Sequence, residues 1–240
     1  MARTKKLLLA PALVLALSLS ACVGQDDKDG PVSEENSPQE ALDLAKKTLD
    51  ETSGVQLELK AEDLPANAPG IVLTGASGVA VHPRAFEGDI VASLSGLTQN
   101  GQVVAIEDTV WVKIALLGNA FQELDPGKIG APNPAQLIAT EGGLSDLLVS
   151  TGDVEEGDSV RGGSNNDEVL TEYTGTLAGD DVTVLVPTAS GDTFDVVYQI
   201  AGNGELRSMA ITGVFYADTD PMTYTVSFDD YGTTQKITAP

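Results

Sequence analysis

The polar and apolar positions change rhythm several times along the chain, and each rhythm predicts a different element. Leu7 to Leu19 is an unbroken run of apolar and small residues with no periodicity, preceded by Arg3, Lys5 and Lys6. Val23 to Pro38 is the reverse, rich in Asp, Glu, Gly, Ser and Pro, too poor in large apolar side chains to order itself. A helical period follows: Ser37 is placed to cap, Pro38 to open, and Glu40 to close a capping box, with Ala41, Leu42, Ala45, Thr48 and Leu49 at helical spacing. Gly54 is expected to stop it. From Val55 to Ala61 the apolar residues are all odd-numbered and the polar ones even, a strand with one buried and one wet face.

Further strands are predicted over 71–81, over 85–97 with Phe86, Ile90, Ala92 and Leu94 on one face, over 102–106 and over 109–115. Asn100-Gly101 is the strongest hairpin signal among them, with Glu107-Asp108 a second turn. Residues 118–134 are irregular. Asn133 is placed to cap a helix at Pro134 holding Gln136, Leu137 and Ile138, and Leu144 to Ser150 is helical. Residues 153–163 are polar and turn-rich, and 167–177 is a strand. In 179–187 Asp180-Asp181 favours a helix and Val182 to Val186 a strand. Strands over 194–200, 207–216 and 222–228 complete the pattern, with a last short pairing expected at 236–238. Strands in groups with helices between them predict one α+β domain over residues 39–240, helices covering one face of an antiparallel sheet.

The chemistry of the N-terminus adds to this. A basic segment, an apolar run and a small-residue site are the three parts of a secretory signal, and this run is shorter than the roughly 20 residues that span a bilayer core. Leu19-Ser20-Ala21-Cys22 fits a bacterial lipobox: an aliphatic residue, two small residues, then the cysteine whose thiol takes the diacylglycerol. Residues 1–21 are therefore expected to be a cleaved signal, Cys22 the lipidated first residue, and 22–38 a flexible tether. The expected location is the extracytoplasmic face of a membrane, held by lipid. Asp26-Asp27-Lys28-Asp29-Gly30 lacks the closing glutamate of a calcium loop, since Ser37 occupies that place.

Cys22 is the only cysteine, which leaves no disulfide, thiolate metal site or cysteine nucleophile. The net charge is −23, and removing the signal's three basic residues takes it to about −26, which argues against nucleic acid and anionic surfaces as partners. Catalysis has little to work with. His82 is the one histidine and is expected at the surface, so no second one is available for zinc, and there is no Gly-x-Ser-x-Gly elbow. Trp111 is open to two readings, a carbohydrate platform or packing at an edge. No cofactor is expected, and the chain is expected to be a monomer.

Several stretches resemble a family. These are the lipobox, the helix ending in Ser53-Gly54-Val55, and the strand Val110-Trp111-Val112-Lys113. They continue with Phe121 to Asp125, Pro132 to Ile138, Gly142 to Leu148, Tyr173 to Leu177, and Val226 to Gly232. Taken in that order they are similar to the LppX/LprAFG lipoproteins of mycobacteria and their relatives. The resemblance departs at 180–190, where relatives more clearly show a helix. It implies a half-barrel: a single curved antiparallel sheet with helices on its concave face, enclosing an apolar cavity for the acyl chains of glycolipids or other multi-chain lipids. It also implies carriage of such lipids across the envelope, alongside an exporter of the major facilitator type. The candidate lining is Val55, Leu57, Leu59, Ile90, Ala92 and Leu94 from the strands. Leu137, Leu144, Leu148, Val196 and Tyr198 are added from further along. The same alternation serves a filled core, so the alternative is an envelope scaffold or protein-binding lipoprotein with no lipid ligand.

Overall fold

The computed structural model describes residues 37–240 except 67, 69, 95, 116, 117, 164 and 165. The signal, Cys22 and most of the tether lie outside the described residues. The first element is helix α1 (Pro38–Glu51). Its capping box is formed: the Glu40 N–H donates to Ser37 Oγ at 3.3 Å, and the Ser37 N–H donates to Glu40 Oε2 at 2.7 Å. The helix ends at Glu51, and Gly54 opens the first strand.

Eleven strands among the described residues form one open antiparallel sheet. The first half is a meander: β1 (Gly54–Glu62), β2 (Ile71–Val81), β3 (Ala85–Leu94), β4 (Leu97–Ile106), β5 (Thr109–Ile114) and β6 (Gln122–Leu124). The second half is β7 (Gly152–Gly162), β8 (Glu168–Ala178), β9 (Thr193–Ala201), β10 (Leu206–Gly213) and β11 (Met222–Asp229). The spatial order is β6-β5-β4-β3-β2-β1-β11-β10-β9-β8-β7. First and last strands therefore pair at the centre, Leu57 opposite Phe228, while β6 and β7 form opposite edges. The chain must cross the whole sheet between them. It does so through two 3-10 turns, Pro126–Ile129 and Pro134–Gln136, and helix α2 (Leu144–Ser150). Helix α3 (Gly179–Leu185) is inserted between β8 and β9.

Four sequence expectations are corrected, and the segment left open between helix and strand is decided. Asn100-Gly101 is not a turn. Both lie within β4, opposite Val91 and Ile90, and the reversal falls between Leu94 and Leu97, which pair with each other, with Gly96 at φ 80°. The polar segment 153–163 is β7, an edge strand exposed along most of its length, so it lacks the alternation that a buried face imposes. At 179–187 the helix prevails: Val182 and Leu185, one turn apart, are both buried. The helix expected at Pro134 is a single 3-10 turn, capped by Asn133 Oδ1 accepting from the Ala135 N–H at 3.0 Å. No strand is described at 236–238.

Candidate functional site: an apolar cavity under the crossover

Inward-facing residues of the strands and the crossover enclose a cavity of about 380 Å³. The floor is the sheet: Leu57 and Leu59 on β1, Leu73 and Ala76 on β2, Phe86, Ile90 and Ala92 on β3, Val103 on β4, Val110, Val112 and Ile114 on β5. It continues through Tyr224 and Val226 on β11 to Ile211 on β10. From β5 to β10 is six strand spacings, roughly 29 Å measured along the sheet at ~4.8 Å each. Side chains so far apart on one surface share a single cavity because the sheet curls around it.

Alternation supplies the floor directly, except on β2. There the pairing with β3 shifts between Leu73 and Gly75, so odd Leu73 and even Ala76 both face inward. The roof is the crossover, contributing Pro126, Ile129, Pro134, Leu137, Leu144 and Leu147, with Val182 and Leu185 of α3. The Gly142-Gly143 step aims α2 over the cavity. Gly142 has φ 67°, and a side chain on Gly143 would collide with the Ala139 carbonyl oxygen. Lys46 of α1 then fixes α2 in place, its Nζ donating to Asp146 Oδ1 at 2.8 Å and pairing with Asp50 at 2.9 Å. Asp146 also accepts from the Gly142 N–H. Partial burial alone would raise the Asp146 carboxyl, but the Lys46 ammonium and this N–H outweigh it and hold it below the usual carboxylate range.

Among the described residues no charged one lines the cavity. Its two tyrosines have their hydroxyls engaged: Tyr216 donates to Tyr224 at 3.0 Å, and Tyr224 donates to the Leu73 carbonyl at 2.9 Å. The rest of the wall is hydrocarbon except at Thr188, whose buried hydroxyl oxygen finds no hydrogen-bond partner among the described residues. Carboxyls with shifted affinity for protons lie elsewhere. Glu40, Asp146 and Glu168 are all lowered, by Ser37, by Lys46 and Gly142, and by Arg207 respectively, so none of them is poised as a general acid. Among the described residues no group of His, Cys, Asp and Glu is placed to hold a metal ion. His82 is partly buried, its Nε2 bonded to the Leu49 carbonyl at 3.1 Å. Trp111 is half-buried, with alternation placing it on the face away from the cavity.

Of the candidate lining residues, Leu57, Leu59, Ile90, Ala92, Leu137 and Leu144 lie on the cavity wall. Val55, Leu94, Leu148, Val196 and Tyr198 do not. Leu94 has the correct parity on β3 but stands at its last residue, 38% exposed. Val55 is fully buried at the opposite end of the floor, the second residue of β1. Leu148, Val196 and Tyr198 are also fully buried, in a part of the concave side that the protein fills itself. There the Tyr198 hydroxyl bonds Thr151 Oγ1 at 2.7 Å and donates to the Leu147 carbonyl at 3.2 Å. The crossover residues before Leu137, and those of α3, carry no periodicity that would mark them, and only the topology brings them to the cavity.

An open, curled antiparallel sheet, roofed by helices and enclosing an apolar space, defines a half-barrel. The chain belongs to the LppX_LprAFG lipoprotein family, whose sequence model matches residues 37–238. The fold is shared with LprF from Mycobacterium bovis, at a TM-score of 0.65 and 14% identity over 85% of this chain and 96% of that one. It is shared also with the lipoprotein LppX of Mycobacterium tuberculosis, at 0.58 and 14% over 84% and 98%. No curated protein matches the sequence. Among the described residues no helix is long and apolar enough to cross a membrane.

Proposed function

We propose that this protein shelters the hydrocarbon of a membrane lipid in its cavity and carries or presents that lipid across the cell envelope, tethered at the outer face of the membrane through acylated Cys22. The single observation that carries the reading is an unfilled space of about 380 Å³ with no charged residue among the described ones on its wall. Protein interiors are close-packed, so a void of this size in an otherwise filled core is a site for something else. Ligand pockets commonly fall between about 300 and 1,000 Å³. An acyl tail suits the lining because each methylene withdrawn from water contributes about 0.8 kcal/mol and needs no hydrogen bond. The unfilled space favours this reading over a scaffold with a solid core.

The test is mass spectrometry of organic extracts from protein purified from its own host. An acyl lipid is expected to co-purify with the native chain and to be lost from Ala92→Trp, whose indole would occupy the cavity while the circular dichroism spectrum is unchanged. Repeated preparations of native protein with no bound lipid would overturn the proposal.

A further inference from the structure

We infer that one lip of the cavity is a membrane-docking surface, a row of apolar side chains that seats in the bilayer so that a lipid's tails pass from membrane to cavity without crossing water; this rests on the lipid-binding reading above. The concave side beneath β9 is plugged by Val196 and Tyr198, each no more than 1% exposed, so entry lies elsewhere. Strand register points to one end of the floor. Pairing of β1 with β2 stops at Lys60–Gly75 and that of β4 with β5 at Gly101–Ile114, so the ends of β2, β3 and β4 run on together as a three-stranded tab. Across the tab Ile71, Leu94 and Leu97 stand directly opposite one another, which puts all three on one face. That face is the concave one, because the next pair inward, Leu73 and Ala92, lines the cavity, as does Ile71 itself. Yet the three are 37%, 38% and 69% exposed. The row is therefore a rim, wet on one side and continuous with the hydrocarbon wall on the other.

Charge decides what covers it. A chain of net charge −23 is repelled by an anionic bilayer, and carboxylates at the contact would add a desolvation cost to that repulsion. No Asp, Glu, Lys or Arg lies between Asp63 and Arg84, nor between Asp89 and Glu107, in a chain of which 20% is charged. These two gaps contain the whole tab. Leucine and isoleucine leave water for hydrocarbon favourably and need no partner there. The anchor permits the pose. Fourteen residues separate Cys22 from Ser37, a length that fully extended spans at most about 50 Å, more than the roughly 36 Å of an 11-residue strand such as β2.

The experiment uses the mature chain from its own host, held by its acyl anchor on vesicles of equal parts phosphatidylcholine and phosphatidylglycerol. Cys22 is the only cysteine, and acylation blocks its thiol, so Leu97→Cys supplies one site for an environment-sensitive fluorophore. Val169→Cys is the control, at a residue also apolar and 60% exposed but on β8, six strand positions from β3. Emission at position 97 is expected to shift to the blue on the vesicles and to be quenched by nitroxides on the lipid acyl chains, with neither change at 169. Uptake of a pyrenyl phosphatidylglycerol from the vesicles by the Leu94→Asn, Leu97→Asn double variant is expected to slow by about tenfold or more. Loading of the same lipid from cyclodextrin should be unchanged, since neither leucine lies on the cavity wall. The inference fails if position 97 stays in water on the vesicles, if both positions change alike, or if the folded double variant takes up lipid at the native rate. Shielding of 97 without vesicles, growing with protein concentration, would mean that a second copy covers the row, and would overturn it too. With native chain that loads from cyclodextrin, any of these results overturns the docking surface alone. Native chain that loads from neither source overturns the lipid-binding reading.

Discussion

Single residues decide how this cavity stays open on one side and closed on the other. Tyr198 shows the logic: its ring fills the concave side, and burial pushes its hydroxyl well above the ordinary tyrosine range. Tyr198→Phe removes the hydroxyl's contacts to Thr151 Oγ1 and the Leu147 carbonyl while leaving Thr151 its own bond to Leu147, so the expected loss is about 1–2 kcal/mol, measured by urea unfolding. Asp146 governs acid stability. Its folded-state affinity for a proton is lowered, as is that of Glu168 beside Arg207, so both contribute stability above about pH 4 that is lost as pH falls through the depressed values. Asp146→Asn is therefore expected to melt lower than native protein at pH 7 but to lose less on acidification toward pH 2. Parallel melting curves across that range would contradict the assignment. At this scale the sequence was partly legible. The capping residues Ser37 and Glu40 declared themselves, whereas nothing local marks Asp146 as the partner of Lys46, one hundred positions away.

At the scale of elements, strands with one wet and one dry face were readable and strands without that contrast were not. β1, β3 and β9 alternate because each has a core on one side only. β7 was hidden because it is an edge, and the Asn-Gly pair misled because Gly101 serves another purpose. A Cβ there would lie 2.8 Å from the Ile114 side chain, so the residue admits a close neighbour instead of turning the chain. A similar device operates where Gly78 faces Gly88 and the Phe86 ring lies across both. A Cβ on Gly78 would come within 2.7 Å of the Gly88 Cα and of Phe86 Cζ. Gly78→Ala is therefore expected to cost about 1–3 kcal/mol in thermal or chemical unfolding, and a neutral result would mean that β3 can shift. Helix α2 offers an internal comparison. Leu148→Ala, in the filled region, should cost about 2–5 kcal/mol. Leu147→Ala enlarges a space already present, and should fall at or below the low end of that range. Equal losses would argue that the two leucines meet equally dense surroundings.

Over the whole molecule, charge and topology dominate. A net charge of −23 repels itself most in the compact state, and such repulsion is screened over about 10 Å at 0.1 M salt. Raising sodium chloride from low ionic strength to about 0.15 M should therefore raise the melting temperature, and a fall would mean that attractive pairs such as Arg207–Glu168 outweigh the repulsion. Topology sets the site. Because β1 and β11 pair at the centre, the two meanders end at opposite edges, and the link between them must pass over the concave face. The roof of the cavity is thus a consequence of strand order.

The sequence by itself determined the helix caps, most of the strands, the inward parity of the floor and the absence of charge facing it, because periodicity and capping are local and repeat every few residues. Tertiary structure alone decided that the floor curls, that the crossover becomes its roof, and where vacant space gives way to plug. An inward leucine reads the same whether it faces a void or another side chain. Only the distance to what lies across from it, set by curvature and by residues remote in the chain, separates the two.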